Sequence, residues 1–590
     1  RLSDEAEVFV LEDWGEGSYT LRNENTGKYM LTNLADDVIG ESQSEDGTKT
    51  PVRITGKVCV GKDKIYSWFD LEVFRMQAEC EGTGITSEFR MQDRFGNTLF
   101  ADGEGRIVSA RQECQGLTPL IFKAEKVSDG LAKAVDAASK AGVVILALGH
   151  NPMVNAKEEI DRATIEFIPA QQRLFDEIQK VNPNVVVAFI SNYPFAIGRI
   201  NEKARAILWS STGSQCMGQS MADALCGKVS PAGRLTQTWY GSDADLPDID
   251  DYDVLGKGRT YRYFTGEALY PFGYGLTYSS FAYEEMELSI LQVKGEKKKK
   301  KDRKVYGVPN GVYDQVREDD RVLKVLVAVT NTGERTSDEV VQIYAKAPAG
   351  YAKKPKKQLI GFERVRDIAP KERRKLEFLI PIRELAFYDV IRESLIVEAG
   401  EYEIVAAPSS WAVGVSKTLW VDGVTCGLRD LSKKIKADHY DEEQGSQIVE
   451  GCYGYSALMA MGPNVYEPPV DGSFSASYGN CRLTENAKTL RIHGIAREDA
   501  TIKVFVDEAL AGELTLNTRT YDRKAGPARN HMPRAVEDEI RRKNSYPLLW
   551  ADVHIPLKLD QIQDFSYEQG HLIRLEVQGP FCYDWFMILA

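Results

Sequence analysis

The chain has 590 residues and a mass of 66.0 kDa, with 74 Lys plus Arg against 87 Asp plus Glu, so its net charge is −13. That acidic balance argues against a nucleic-acid binder, and a mean hydropathy of −0.33 with no apolar run near 20 residues argues against a membrane-spanning helix. At 43% hydrophobic and 27% charged residues the composition is that of a folded protein, and at roughly 150 residues per domain the length predicts about four domains.

The elements follow in order. Residues 1–125 read as all-β: Tyr19-Thr20-Leu21-Arg22-Asn23 and Lys28-Tyr29-Met30 are short strands about a polar turn, and a related pattern returns at Arg90-Met91-Gln92-Asp93-Arg94-Phe95-Gly96-Asn97-Thr98-Leu99-Phe100. The repeat predicts a β-trefoil-like (fascin-like) unit. From Ser128, a candidate helix N-cap, the period changes. Leu131, Val135 and Ala138 share a helical face. The continuous apolar runs at 143–149, 185–190 and 206–209 suit buried parallel strands, and helices are expected at 170–181 and 214–225, so 126–280 reads as α/β. Residues 281–428 return to β, with strands at 322–330, 339–344 and 400–405 that suggest a fibronectin type III-like sandwich. Residues 429–590 form a further all-β unit. The lysine run at 297–301 reads as a solvated loop.

Nine scattered cysteines, none in a C-x-x-C, fit a reduced compartment at least as well as a secreted one. Six histidines without H-x-H or H-x-x-x-H spacing offer no His-rich metal site. The chemistry concentrates in the loop after the first apolar strand, Gly149-His150-Asn151-Pro152-Met153-Val154-Asn155-Ala156-Lys157-Glu158-Glu159-Ile160-Asp161-Arg162. Ligands of open α/β sheets bind outside the carboxyl ends of strands, and this loop leaves such an end with acids, a His and an Arg.

Four segments carry a resemblance. Glu158-Glu159-Ile160-Asp161-Arg162 resembles the acidic loop of the α/β-sandwich domain of glycoside hydrolase family 3, the β-glucosidase and β-xylosidase family. Ser230-Pro231-Ala232-Gly233-Arg234-Leu235-Thr236-Gln237-Thr238-Trp239 is similar to its N-P-x-G-R-L-x-x-T-W segment, with Ser for Asn. Arg259-Thr260-Tyr261-Arg262-Tyr263-Phe264 and Tyr270-Pro271-Phe272-Gly273-Tyr274-Gly275-Leu276-Thr277-Tyr278 resemble its ending. The resemblance implies a retaining mechanism in which a barrel Asp is the nucleophile and a Glu of the sandwich loop is the acid/base. By position Glu158 matches that Glu; Glu159 stands where many members have Gly and is the alternative. Asp161 and Arg162 would orient the loop or contact sugar hydroxyls, and His150 would line the same pocket or pack as a loop His.

A (β/α)8 barrel needs about 250 residues, and the residues before the α/β unit read as β. Val127-Ser128-Asp129-Gly130 superficially resembles the family's nucleophile motif, but it lacks the Trp and reads better as a helix cap. The N-terminal β unit is therefore expected to be an insertion in the sandwich domain, and the nucleophile to come from a barrel domain or chain outside this sequence. The last unit, with Ile435-Lys436-Ala437-Asp438-His439-Tyr440 and Asp584-Trp585-Phe586, resembles a family 6 carbohydrate-binding jelly roll, which implies a structural Ca2+ held by Asp438 and Asp584.

The expectation is thus a multidomain α/β plus all-β chain: trefoil-like insertion (1–125), α/β sandwich (126–280), fibronectin type III-like sandwich (281–428) and β jelly roll (429–590). It would be part of a retaining glycosidase for β-glucosides or β-xylosides, needing no cofactor for catalysis and compatible with a homo-oligomer. The alternative is a non-catalytic carbohydrate-binding or scaffold protein.

Overall fold

The computed structural model describes residues 8–13, 17–33, 37–42, 52–65, 71–77, 88–111, 117–123, 129–150, 162–249, 253–292, 319–350, 353–425, 427–450, 456–461, 471–496, 499–516, 550–562 and 570–590. The lysine run at 297–301 lies outside them. The chain divides into two compact units, one of Arg1–Val229 with Trp239–Asp243, the other of Ser230–Thr238 with Ala244–Ala590. No helix among the described residues is long and apolar enough to cross a membrane.

The first unit opens with a closed ring of seven strands: Tyr19–Asn23, Tyr29–Thr32, Val52–Lys62, Ile107–Ala110, Thr98–Ala101, Glu88–Asp93 and Phe74–Gln77, the last pairing back to the first. Leu21, Met30, Phe74, Met91 and Leu99 fill it. The repeat seen in the sequence is a turn device. Asn23 Oδ1 accepts from Thr26 N–H, Asp93 Oδ1 from Phe95 and Asn97 N–H, and Asp102 Oδ1 from Glu104 and Arg106 N–H. Each turn ends on a glycine with positive φ (Gly27, Gly96, Gly105).

Three parallel strands follow, Val144–Gly149, Val185–Ile190 and Ala206–Ser210, paired in chain order. They alternate with helices Gly130–Ser139, Pro169–Val181, Gly198–Lys203 and Met217–Leu225. Two expectations need correction. The first helix is capped by Asp129, whose carboxylate accepts from Ala132 N–H, one residue beyond Ser128. The first apolar run is buried on one face only: Leu146 and Leu148 are buried, whereas Val143 and Ile145 are 61% and 60% exposed. Val144–Gly149 is one of the two edge strands of this three-stranded sheet, and its exposed face shows that an apolar run does not by itself imply cover on both faces.

In the second unit, strands Phe281–Gln292, Arg321–Asn331 and Arg373–Pro381 form one sheet, and Gln358–Ile368, Ser337–Lys346, Gly400–Ala407 and Val415–Val421 another. Alternate residues (Leu323, Val325, Val341, Ile343, Tyr402, Ile404) meet in one core. The carboxyl-terminal residues form two six-stranded sheets around a second core, which includes Phe474, Tyr478, Ile492, Ile502, Leu575 and Phe586.

The segments that carry the resemblance beyond residue 229 bind to the first of these sandwiches. Arg234 Nη2 donates to Glu339 Oε2 at 2.8 Å, Tyr283 OH donates to Glu339 Oε1 at 2.7 Å, and Ser337 Oγ donates to Ser230 Oγ at 2.7 Å. Gly273 has φ +79, and a Cβ there would lie 2.1 Å from Gln342 Oε1. Its neighbours make a short ladder with the 230–238 segment: Leu235 N–H donates to Tyr274 O, and Gly273 N–H to Leu235 O, both at 2.8 Å.

Candidate active site

The carboxyl ends of the three parallel strands present Gly149-His150, Ser191 to Phe195 and Ser210 to Gly213. Gly149 has φ +147, and a Cβ there would fall 1.8 Å from Ile190 O, so only glycine fits where the chain leaves the sheet. Its two backbone groups pair with one side chain: Gln171 Oε1 accepts from Gly149 N–H at 2.8 Å and Gln171 Nε2 donates to Gly149 O at 2.6 Å. His150 N–H then donates to Ile190 O at 3.2 Å.

His150 is 7% exposed. Its ring lies 5.1 Å from Tyr193 and 6.1 Å from Phe195, centroid to centroid, and neither ring nitrogen has a hydrogen-bond partner among the described residues. Burial, and secondly the positive charge of Arg162, push its pKa below the ordinary histidine value, which favours the neutral ring. Arg162 packs on the same aromatics, its guanidinium 4.3 Å from the Phe195 centroid and 5.1 Å from that of Tyr193. Its Nη1 donates to Pro194 O at 3.1 Å. Two residues on, Asp243 accepts from Thr164 Oγ1 at 2.5 Å and from Ile165 N–H at 2.8 Å, and Ala196 N–H donates to Ile165 O at 2.8 Å.

The structure therefore brings His150 and Arg162 together. Glu158, Glu159 and Asp161 lie outside the described residues. Sequence reasoning missed Tyr193, Phe195, Gln171 and Asp243. The first two had a readable signal, because Ser191-Asn192-Tyr193-Pro194-Phe195 leaves the carboxyl end of the next parallel strand, where the same switch-point rule applies. Gln171 and Asp243 become visible only once the fold brings them to Gly149 and Thr164.

In the carboxyl-terminal sandwich, Asp584 is fully buried and its Oδ1 lies 2.7 Å from His493 Nδ1. The His493 ring stacks between Trp585 (5.1 Å) and Trp550 (5.6 Å). Pairing of Lys436 with Trp585 brings the segment of Asp438 alongside the strand of Asp584. Asp438 Oδ1 and Asp584 Oδ2 are both buried without a hydrogen-bond partner among the described residues, though His439 Nε2 lies 3.9 Å from the former. A bare carboxylate oxygen is a ligand type that a hard cation takes, but six to eight oxygens are needed and no cluster of three His, Cys, Asp or Glu occurs among the described residues.

Residues 12–278 match the family model of the glycosyl hydrolase family 3 C-terminal domain, and residues 339–410 that of a fibronectin type III-like domain. The chain is 30% identical over 291 residues to a putative beta-xylosidase of Formosa agariphila (48% of this chain, 35% of that protein). It is 29% identical over 301 residues to thermostable beta-glucosidase B of Acetivibrio thermocellus (49% and 36%). A solved structure, the GH3 beta-glucosidase of Bifidobacterium adolescentis, matches at 27% identity with a TM-score of 0.42 over 50% of this chain and 42% of that one. The chain spans about a third of the length of these two curated relatives. It resembles the C-terminal half of glycoside hydrolase family 3: residues 12–278 are similar to that family's C-terminal domain and residues 339–410 to a fibronectin type III-like domain.

Proposed function

We propose that this chain supplies the acid/base half of a retaining β-glycosidase acting on β-glucosides or β-xylosides. Glu158 is the acid/base, with Glu159 the alternative, and the nucleophilic carboxylate belongs to a barrel domain or chain outside residues 1–590. The observation that carries the reading is that Glu158 and Glu159 follow in sequence the carboxyl end of the parallel strand Val144–Gly149, inside the segment matched to the family 3 domain. The named relatives, a beta-xylosidase and a beta-glucosidase, supply the substrate class.

The chemistry needs two carboxyl groups about 5–5.5 Å apart. One attacks the anomeric carbon as the anion. The other gives its proton to the leaving oxygen, then takes one from the water that releases the sugar. No cofactor enters. Arg162 serves here as a cationic prop on Phe195 and Tyr193, and His150 as its neutral neighbour. Two finer fold assignments accompany the reading. The repeated Asx-to-Gly turns support a trefoil-like insertion, and the two six-stranded sheets support a jelly roll whose Asp438 and Asp584 hold structural Ca2+. The test is whether Glu158→Gln or Glu159→Gln, in the native assembly, spares kcat/KM for substrates with activated leaving groups while lowering it for the rest, with kcat falling on both because the same group serves release of the sugar; equal losses of kcat/KM in both classes refute the assignment.

A further inference from the structure

Among the described residues, eight other than glycine have positive φ, and Thr260, at φ +64, is the only β-branched one. A Cβ crowds the backbone in that region and a branch at Cβ crowds it further, so such a corner persists only where its surroundings over-determine it. Here the surroundings are two different sandwiches of the second unit. After the corner, the first sandwich holds residues 261–264. Tyr261 OH accepts from Leu359 N–H at 3.0 Å, and Lys356 donates through N–H to Arg262 O at 2.8 Å and through Nζ to Phe264 O at 3.2 Å. The Tyr261 ring also stacks on Phe272, 4.3 Å between centroids. Before the corner, the carboxyl-terminal sandwich holds residues 253–257. Lys257 Nζ donates to Glu443 Oε1 at 2.5 Å, and Tyr440 OH donates to Asp253 Oδ2 at 2.6 Å. Both contacts are rooted in that sandwich: Tyr440 packs on its core, strand Glu442–Gln444 pairs with Ser473–Arg482, and Glu443 Oε2 accepts from Ser446 N–H and Oγ.

We infer that the Lys257–Glu443 and Asp253–Tyr440 contacts are a latch that keeps Thr260 as a strained hinge between the two sandwiches. Breaking them lets Thr260 leave the left-handed region and frees the 253–259 turn, whose tip exposes Val254 and Leu255. The turn has bonds of its own: Asp253 Oδ1 accepts from Gly256 N–H at 2.7 Å, and Arg259 N–H donates to Val254 O at 3.0 Å. It therefore swings as one piece about Thr260. Strain at the corner favours the open turn and the latch opposes it. The inference concerns the second unit alone and does not rest on the acid/base reading.

The test is amide hydrogen exchange of the full chain, read by mass spectrometry on peptides covering 253–264 and, as a control, on the strand Ser473–Arg482. Tyr440→Phe, which keeps the ring in the core, is expected to speed exchange of the turn about 3- to 10-fold. Adding Lys257→Met and Glu443→Gln should raise the gain to about 10- to 100-fold, with the control strand within about 2-fold. Strain is read by the opposite sign. Thr260→Asn, whose side chain tolerates the left-handed region, should slow exchange of the turn about 3- to 10-fold, whereas Thr260→Val, which keeps the branch, should not slow it. Should the triple variant loosen the control strand as well, Tyr440→Phe alone decides whether the latch holds the turn. Exchange of the turn unchanged by Tyr440→Phe, or no slower in Thr260→Asn than in Thr260→Val, would overturn the inference.

Discussion

In an Arg234→Met variant, Glu339 would keep its carboxylate in a site where the side chain is 2% exposed, having lost the guanidinium 2.8 Å away. Breaking a buried pair from one side costs about 3–5 kcal/mol. The folded variant can escape by taking up a proton. Against an unfolded chain in which this glutamate titrates at its ordinary 4.5, that escape costs about 3.4 kcal/mol at pH 7 but only about 0.7 kcal/mol at pH 5. The sign follows from burial, which already raises Glu339 above its ordinary value in the folded chain, against the lowering pull of Arg234 and Tyr283. A raised folded pKa means that stability is highest at low pH and falls as pH rises through that pKa. Removing Arg234 deletes part of the lowering pull, so the fall is larger and reaches higher pH. Urea unfolding followed by tryptophan fluorescence should show the variant destabilised by about 3 kcal/mol at pH 7 and by under about 1 kcal/mol at pH 5 from this charge effect. Adding Glu339→Gln should restore most of the loss at pH 7 and flatten the pH dependence. A destabilisation that is the same at both pH values would refute the reasoning.

Gly149→Ala should destabilise the first unit by at least about 3 kcal/mol, from strain at φ +147 and collision with Ile190 O, and should lower turnover of activated and unactivated glycosides alike; unchanged stability by thermal unfolding would show that the strand end relaxes freely. Chelation with EDTA should lower the unfolding midpoint of the carboxyl-terminal sandwich by about 5 °C or more, reversed by added Ca2+, if the bare oxygens of Asp438 and Asp584 are ligands of an ion present at about 100 times its Kd; a midpoint indifferent to both removes the ion.

Much of the fold is written in local pattern. The apolar runs at 143–149, 185–190 and 206–209 mark the three parallel strands to within one residue, because a strand of a parallel sheet selects β-branched and apolar side chains along its whole length. The apolar run at 322–330 likewise anticipates Arg321–Asn331. What local pattern cannot carry is the identity of the neighbour. Val143 and Ile145 read as buried, yet they are exposed, Val143 just before the strand Val144–Gly149 and Ile145 on its uncovered face. Arg234 and Gly273 read as parts of a family motif; contacts more than 60 residues away in sequence, with Glu339 and Gln342, show that they brace a sandwich. At the candidate site, His150 and Arg162 were legible because charge and imidazole stand out in a loop. Tyr193 and Phe195, which pack against both, carried only the weaker signal of following the next parallel strand, because aromatic residues in a loop are more often packing than chemistry.

The central claim is that the proton donor for glycosidic cleavage lies in this chain, at Glu158 or Glu159. It is tested most directly by the dependence of kcat/KM on leaving-group pKa, measured for the native assembly and for each of Glu158→Gln and Glu159→Gln on one series of aryl β-glycosides. The account predicts a shallow dependence for the native protein and a steep one for the variant that lacks the donor, the two lines converging at the most acidic phenol. Parallel lines for both variants, or lines coincident with the native one, would contradict it.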